Sequence, residues 1–217
     1  MNRAPRIAVI DYGAGNLVSI EQALTSVGAQ VSFVHDGEGL AGTDAVVVPG
    51  VGASAPAMDR LDQQGLTEPL RAWLAADRPF LGICLGMQLL FDASEEDGAS
   101  TLGAIAGTST RLVGAPTLPH IGWNQVVRRR SHPVFDGIAD GADFYFVHSY
   151  AGVPRTQDPA DAGRPANDVT LATTTHGGMF TSAVNRGSLI GVQFHPERSG
   201  ADGLRLLGNF VDLVRAA

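Results

Sequence analysis

Phe80-Leu81-Gly82-Ile83-Cys84-Leu85-Gly86 is the stretch on which the reading of this chain turns. Pro79–Ile83 has the composition of a buried strand and Leu85–Phe91 that of the start of a helix, so Cys84 stands at a strand-to-helix junction with a glycine two places to either side. A sharp turn of this kind lifts the central side chain clear of the backbone and leaves no room for bulky neighbours, which is why the flanking positions must be small. The helix that follows aims its N-terminal N–H groups at the sulfur and favours the reactive thiolate, and the N–H of Leu85 is placed to meet an oxyanion. A lone cysteine is equally at home as a buried apolar side chain, so the junction alone leaves both readings open.

Around this stretch, short apolar runs alternate with helical patterns. Arg6–Ile10, Gln30–His35 and Ala45–Val48 read as strands. Leu17, Ile20, Leu24 and Val27 lie on one face of a helix that Gly28 ends, and a second helix carrying Leu70, Trp73 and Leu74 starts after Pro69. Alternation of this kind predicts an α/β fold, a mostly parallel sheet flanked by helices. The second half is richer in strands: Arg111–Val113, Gln125–Arg128, Asp143–Val147, Val169–Thr174, Phe180–Asn185 and Leu189–Gln193. A final helix places Leu204, Leu207, Phe210, Val211 and Val214 on one face and starts at an N-cap near Ser199-Gly200. Ala151–Asp168, with three prolines, reads as a long surface loop, and residues 1–217 as one domain.

Composition narrows the function. Fifteen basic against 22 acidic side chains give a net charge of −7, which argues against nucleic acid or an anionic membrane as partner. Arg128-Arg129-Arg130 is too short for a nucleic-acid arm and reads as a solvated strand end. No apolar run approaches the roughly 18 residues of a membrane span. One cysteine allows no internal disulfide, and Asp11 interrupts the first apolar run too early for a signal peptide, so the expected setting is cytoplasmic. The histidines lack close ligand spacing, so no metal site is expected. Gly13-Ala14-Gly15 has Val18 where a dinucleotide loop needs its third glycine, so no cofactor is expected either.

A cysteine nucleophile needs a base, and the base needs a group to orient it. Gly191-Val192-Gln193-Phe194-His195-Pro196-Glu197 offers both, with His195 just past a buried-type strand and Glu197 two residues on, where an extended chain points side chains the same way, although the segment alone equally suits a surface histidine beside a solvated glutamate.

Pro49-Gly50-Val51-Gly52, Gly82-Ile83-Cys84-Leu85-Gly86-Met87-Gln88 and Gln193-Phe194-His195-Pro196-Glu197 together resemble the three signatures of the class I, triad-type glutamine amidotransferases, in the family's order and over nearly the whole chain. The resemblance implies that family's α/β fold and glutaminase chemistry. Cys84 would attack glutamine, His195 would move the proton and Glu197 would orient His195. Val51, Gly52 and Leu85 would form the oxyanion hole. Gly50, Gln88, His148, Ser149 and Tyr150 would hold L-glutamine, although Gln88 also suits a helix cap and Phe144–Val147 a core strand.

Asp11-Tyr12-Gly13-Ala14-Gly15-Asn16-Leu17, Pro119-His120-Ile121-Gly122-Trp123-Asn124 and Phe144-Tyr145-Phe146-Val147-His148-Ser149-Tyr150 are similar to one branch, the glutaminase subunits of imidazole glycerol phosphate synthases. That branch implies a separate (β/α)8-barrel cyclase partner, to which ammonia passes. Asn16, Trp123, Tyr145 and Arg198 would face it, although Trp123 and Tyr145 also suit the core. Arg198 stands where the branch often has lysine. A free-standing glutaminase of pyridoxal phosphate or anthranilate synthesis is the competing expectation.

Overall fold

A computed structural model describes residues 3–155 and 169–217. Among these, nine strands form one sheet. Its parallel half contains β1 (Arg6–Ile10), β2 (Gln30–Val34), β3 (Ala45–Val48), β4 (Phe80–Ile83) and β12 (Leu189–Val192), in the order β2-β1-β3-β4-β12. Beyond β12 the sheet continues antiparallel through β11 (Gly178–Arg186), β10 (Thr170–His176), β7 (His120–Arg128) and β8 (Ala142–His148). A small second sheet pairs β5 (Ala93–Ser94), β6 (Gly107–Arg111) and β9 (Tyr150–Pro154).

The inner parallel strands β1, β3, β4 and β12 are apolar on both faces because both faces are covered, whereas β2 lies at the sheet edge and is largely exposed. Ile7, Val9, Ala45, Val47, Leu81 and Ile83 pack toward α1 (Leu17–Ser26) and α5 (Gly200–Ala216). Their alternates Ala8, Ile10, Val46, Val48 and Phe80 pack toward α2 (Ser54–Gln63) and α3 (Thr67–Ala75). At roughly 1.5–3 kcal/mol for each fully buried large side chain, these two layers supply most of the drive to fold.

Several expectations are corrected. α2 was not foreseen, and Pro69 lies within the first turn of α3 rather than ahead of it; the first turn has no helical acceptor for the lost N–H, so proline is tolerated there. The helix after Cys84, α4 (Leu85–Gln88), is four residues long and passes into a turn before Phe91. In α5 it is Leu206 that is buried, while Leu204 is 40% exposed. The Ser199 side chain makes no cap bond to α5. Ala151–Pro154 belongs to β9, and the rest of the expected loop, 156–168, lies outside the described residues. Arg128 pairs with Asp140 at 3.6 Å and Arg130 donates to Asn185, so the basic triplet is partly engaged.

Candidate active site

Sheet order brings the three quoted signatures to one edge. β3, β4 and β12 are consecutive parallel neighbours, with Val48 opposite Gly82 and Ile83 opposite Val192. Their C-terminal ends therefore deliver Pro49–Gly52, Cys84 and Gln193–His195 side by side, and the Cys84 N–H donates to the Val192 carbonyl at 2.8 Å. Cys84 has φ 54° and ψ −108°, a left-handed conformation that is strained in a residue with a side chain. The turn closes only because its neighbours lack side chains: a Cβ on Gly86 would collide with the Val48 carbonyl oxygen, and one on Gly82 with the Gly86 backbone.

His195 Nδ1 lies 2.8 Å from Glu197 Oε1, and both side chains are almost wholly buried. The chain does not stay extended past His195. It turns into a short 3-10 helix over Pro196–Arg198, and the carboxylate reaches the imidazole from that turn. Burial alone would lower the imidazole's proton affinity. The hydrogen-bonding and charge of Cys84 and Glu197 outweigh it and raise the pKa to about 10. Nε2, the ring nitrogen not bonded to Glu197, has no other hydrogen-bond acceptor of regular geometry. The imidazole is also held by its backbone. The His195 N–H donates to Tyr145 O at 2.8 Å, and Ser199 Oγ donates to His195 O at 2.6 Å while accepting from the Tyr145 N–H.

Two more groups touch the sulfur. The Cys84 thiol donates to Val147 O at 3.8 Å, and Gln193 Nε2 donates to Sγ at 3.5 Å. Neither contact was foreseen from sequence.

The oxyanion donor expected at Leu85 is not free, because its N–H donates to Gly50 O at 3.3 Å. Gly52 sits at φ +102° with open space around it, and Val51 is 47% exposed. The buried Tyr12 hydroxyl donates to Pro49 O at 2.8 Å and packs where a Cβ on Gly50 would have to go. Burial, with the Cys84 charge, raises the Tyr12 pKa and keeps the phenol protonated.

A cavity of about 200 Å³ opens beside Cys84 and is lined by Gly52, Gln88, Glu96, His148, Ser149 and Tyr150 among others. Gln88 is buried, and its amide N–H groups reach Tyr150 O at 2.8 Å and Gln193 Oε1 at 3.1 Å. His148 also lines the cavity, with both ring nitrogens engaged. Its Nδ1 faces Tyr150 O at 2.8 Å and its Nε2 faces His120 Nδ1 at 3.1 Å, so neither ring nitrogen is left for a ligand. Burial lowers its pKa to about 3 and that of His120 to about 4, so both rings are neutral. Glu96 was not anticipated; burial, with the nearby Asp97 charge, raises its pKa.

Trp123 is 57% exposed and meets Tyr145 edge-on at 6.2 Å, while the Arg198 guanidinium lies 4.2 Å above the Tyr145 ring. These three residues form one outward cluster, so Trp123 is not a core aromatic. Asn16 caps α1, its side chain accepting from the Ser19 N–H at 3.3 Å. Among the described residues no group of three or more His, Cys, Asp or Glu could hold a metal ion, and no helix is long and apolar enough to cross a membrane.

Known proteins match the chain along nearly its whole length. The model of the glutamine amidotransferase class-I family matches residues 8–213. The imidazole glycerol phosphate synthase subunit HisH of Moorella thermoacetica is 45% identical over 97% of this chain and 96% of its own length. Its counterpart in Xylella fastidiosa is 44% identical over 97% and 98%. Among solved structures, PurLQS from Thermotoga maritima has a TM-score of 0.72 at 18% identity, covering 97% of this chain and 99% of that one. A putative GMP synthase protein from Thermoplasma acidophilum has a TM-score of 0.71 at 17% identity, covering 100% and 96%. At such identities these two structures speak for the fold alone.

Proposed function

The chain belongs to the class-I glutamine amidotransferases, and from that premise we propose that it hydrolyses L-glutamine to glutamate and ammonia as the glutaminase subunit of an imidazole glycerol phosphate synthase, in histidine biosynthesis. The observation that carries the reading is the meeting of Cys84, His195 and Glu197 at one sheet edge beside a cavity, in a chain that matches HisH subunits along its length.

The chemistry follows from the groups in place. The Cys84 thiol gives its proton to His195, and the thiolate attacks the side-chain amide carbon of glutamine. The C–N bond then breaks as the His195 imidazolium protonates the leaving nitrogen, and ammonia departs from a γ-glutamyl thioester. Water, deprotonated by His195, attacks the thioester, releases glutamate and restores the thiol. Glu197 holds the ring through Nδ1 and offsets its positive charge. Gly52, Val51 and Leu85 carry the backbone N–H groups nearest the developing oxyanion. Gly50, Gln88, Ser149 and Tyr150 shape the substrate cavity, and the Glu96 carboxylate suits the substrate's α-ammonium. His148 lines the same cavity and supports Tyr150 through its ring.

Residues 1–217 form one domain of a cytoplasmic heterodimer. The second subunit is a (β/α)8-barrel cyclase that docks on the face bearing Asn16, Trp123, Tyr145 and Arg198. Ammonia crosses there without meeting bulk water, where protonation would remove its lone pair. The cyclase uses it to make imidazole glycerol phosphate and aminoimidazole carboxamide ribonucleotide.

The test is glutamate release by the purified chain, alone and with the cyclase and its nucleotide ligand, with Cys84→Ala as control. Strong Cys84-dependent stimulation is expected. Glutaminase activity indifferent to the cyclase would move the chain to another branch of the family.

A further inference from the structure

Gln193 is fully buried and belongs neither to the triad nor to the cavity wall, yet its side chain touches the sulfur. Its orientation follows from one fixed point. Tyr150 O is a carbonyl and can only accept, so the Gln88 atom 2.8 Å away must be the amide nitrogen. That same nitrogen lies 3.1 Å from the Gln193 side chain, so the Gln193 atom facing it must be the oxygen. The remaining Gln193 atom, 3.5 Å from Cys84 Sγ, is therefore the nitrogen, with an N–H directed at the sulfur. The orientation is locked at the Gln88 end, since turning the Gln193 amide over would set N–H against N–H there.

The contact of Sγ with Val147 has the opposite character. Val147 O accepts from the thiol at 3.8 Å and repels a thiolate, whereas an N–H donor strengthens when the sulfur becomes charged. When Cys84 passes its proton to His195, the sulfur loses its tie to Val147 and keeps its tie to Gln193.

We propose that Gln193 is a positioning residue for the nucleophile: its amide N–H holds the Cys84 thiolate in the attacking position, and its amide oxygen is held by Gln88 on the substrate side. This rests on Cys84 being the nucleophile. It also makes Gln88 a link between the cavity and the sulfur.

The test is alkylation of Cys84 by iodoacetamide across pH, in which an S–C bond forms and iodide leaves, together with kcat and KM for glutamine in the complex with the cyclase. In Gln193→Met, which keeps length and burial but lacks the donor, alkylation near pH 7 is expected to slow about tenfold to a hundredfold, with its pH profile displaced to higher pH. kcat is expected to fall by a similar factor with KM changed much less. Gln193→Glu is expected to displace the profile further by placing a carboxylate beside the sulfur. An unchanged alkylation profile in a folded Gln193→Met chain overturns the proposal.

Should both variants fail to fold, the unaltered chain answers the question by NMR. The Gln193 side-chain amide resonances are expected to shift when Cys84 is alkylated, and their indifference would equally overturn it. The Cys84→Ala control keeps the two readings apart. Residual glutaminase activity there removes Cys84 as nucleophile, while an inactive Cys84→Ala with a normal Gln193→Met removes only the part given to Gln193.

Discussion

The N–H of Leu85 donates to the carbonyl oxygen of Gly50 across 3.3 Å, within the group of backbone atoms proposed to receive the oxyanion. A donor already satisfied by a carbonyl gives nothing to a tetrahedral intermediate until the Gly50–Val51 peptide rotates. Alkylation of Cys84 needs no such donor, whereas glutamine turnover does. The isolated chain is therefore expected to be alkylated readily but to turn over glutamine at least about a hundredfold more slowly than with cyclase and nucleotide, the effect of a missing oxyanion donor. Equal turnover in the two conditions would show that this contact does not limit the reaction.

Glu197 holds His195 by a 2.8 Å bond in a buried pair. Glu197→Gln keeps the shape and removes the charge, and kcat is expected to fall by about 10²–10⁴. The same pair leaves a signature in stability. His195 is raised from 6.5 to about 10, so its contribution is complete below pH 6.5 and is lost as pH rises toward 10. Denaturant unfolding between pH 7 and 10 should show this decline in the native chain and a shallower one in Glu197→Gln. Parallel slopes would count against the coupling.

His120 and His148 behave in the opposite sense. Their pKa values are lowered to about 4 and about 3, so the unfolded chain takes up protons below pH 6.5 that the folded chain refuses. Stability is present above 6.5 and is lost as pH falls, the loss steepening below 6.5 toward an upper limit of about 1.4 kcal/mol per pH unit for each histidine. Unfolding measured between pH 6.5 and 5, above most carboxylate titration, should show this slope. His148→Gln should be less stable at pH 7 but flatter, and an equally steep slope in that variant would refute the assignment.

The Trp123, Tyr145 and Arg198 cluster stands outward, with Trp123 more than half exposed. Trp123→Ala is expected to weaken cyclase association about tenfold or more, since exposed aromatics that become buried at an interface tend to dominate its energy. Calorimetric titration of the two subunits checks this. Unaltered affinity would place the docking face elsewhere.

Much of this was legible in sequence where local sterics dictate it. The inner parallel strands show as unbroken apolar runs because both their faces are buried, and the elbow shows because Gly82 and Gly86 meet backbone that any Cβ would strike. Other elements were hidden. α2 carries Pro56, two aspartates and an arginine, and its buried positions Ser54, Ala57, Met58 and Leu61 keep the helical period, but only Met58 and Leu61 are large and apolar, so the face does not stand out in the sequence. Glu96 sits in Glu95-Glu96-Asp97, which reads as a solvated acidic turn until the fold sets it at the cavity. The saturation of His148 depends on His120, its cross-strand partner between β7 and β8, and the contact of Gln193 with the sulfur depends on the register of β12 against β4. Long-range pairings of this kind leave no local trace in the chain.

β12 leaves the ribosome after every other described strand of the sheet, yet its place is between β4 and β11. A nascent chain that has emerged only as far as Arg186 already carries its cysteine, but the seam where β12 belongs is open and the base has not been made. Such a chain cannot squander glutamine or leak ammonia into the cell. The nucleophile meets its base only when the sheet closes, so completion of the fold and assembly of the triad are one event.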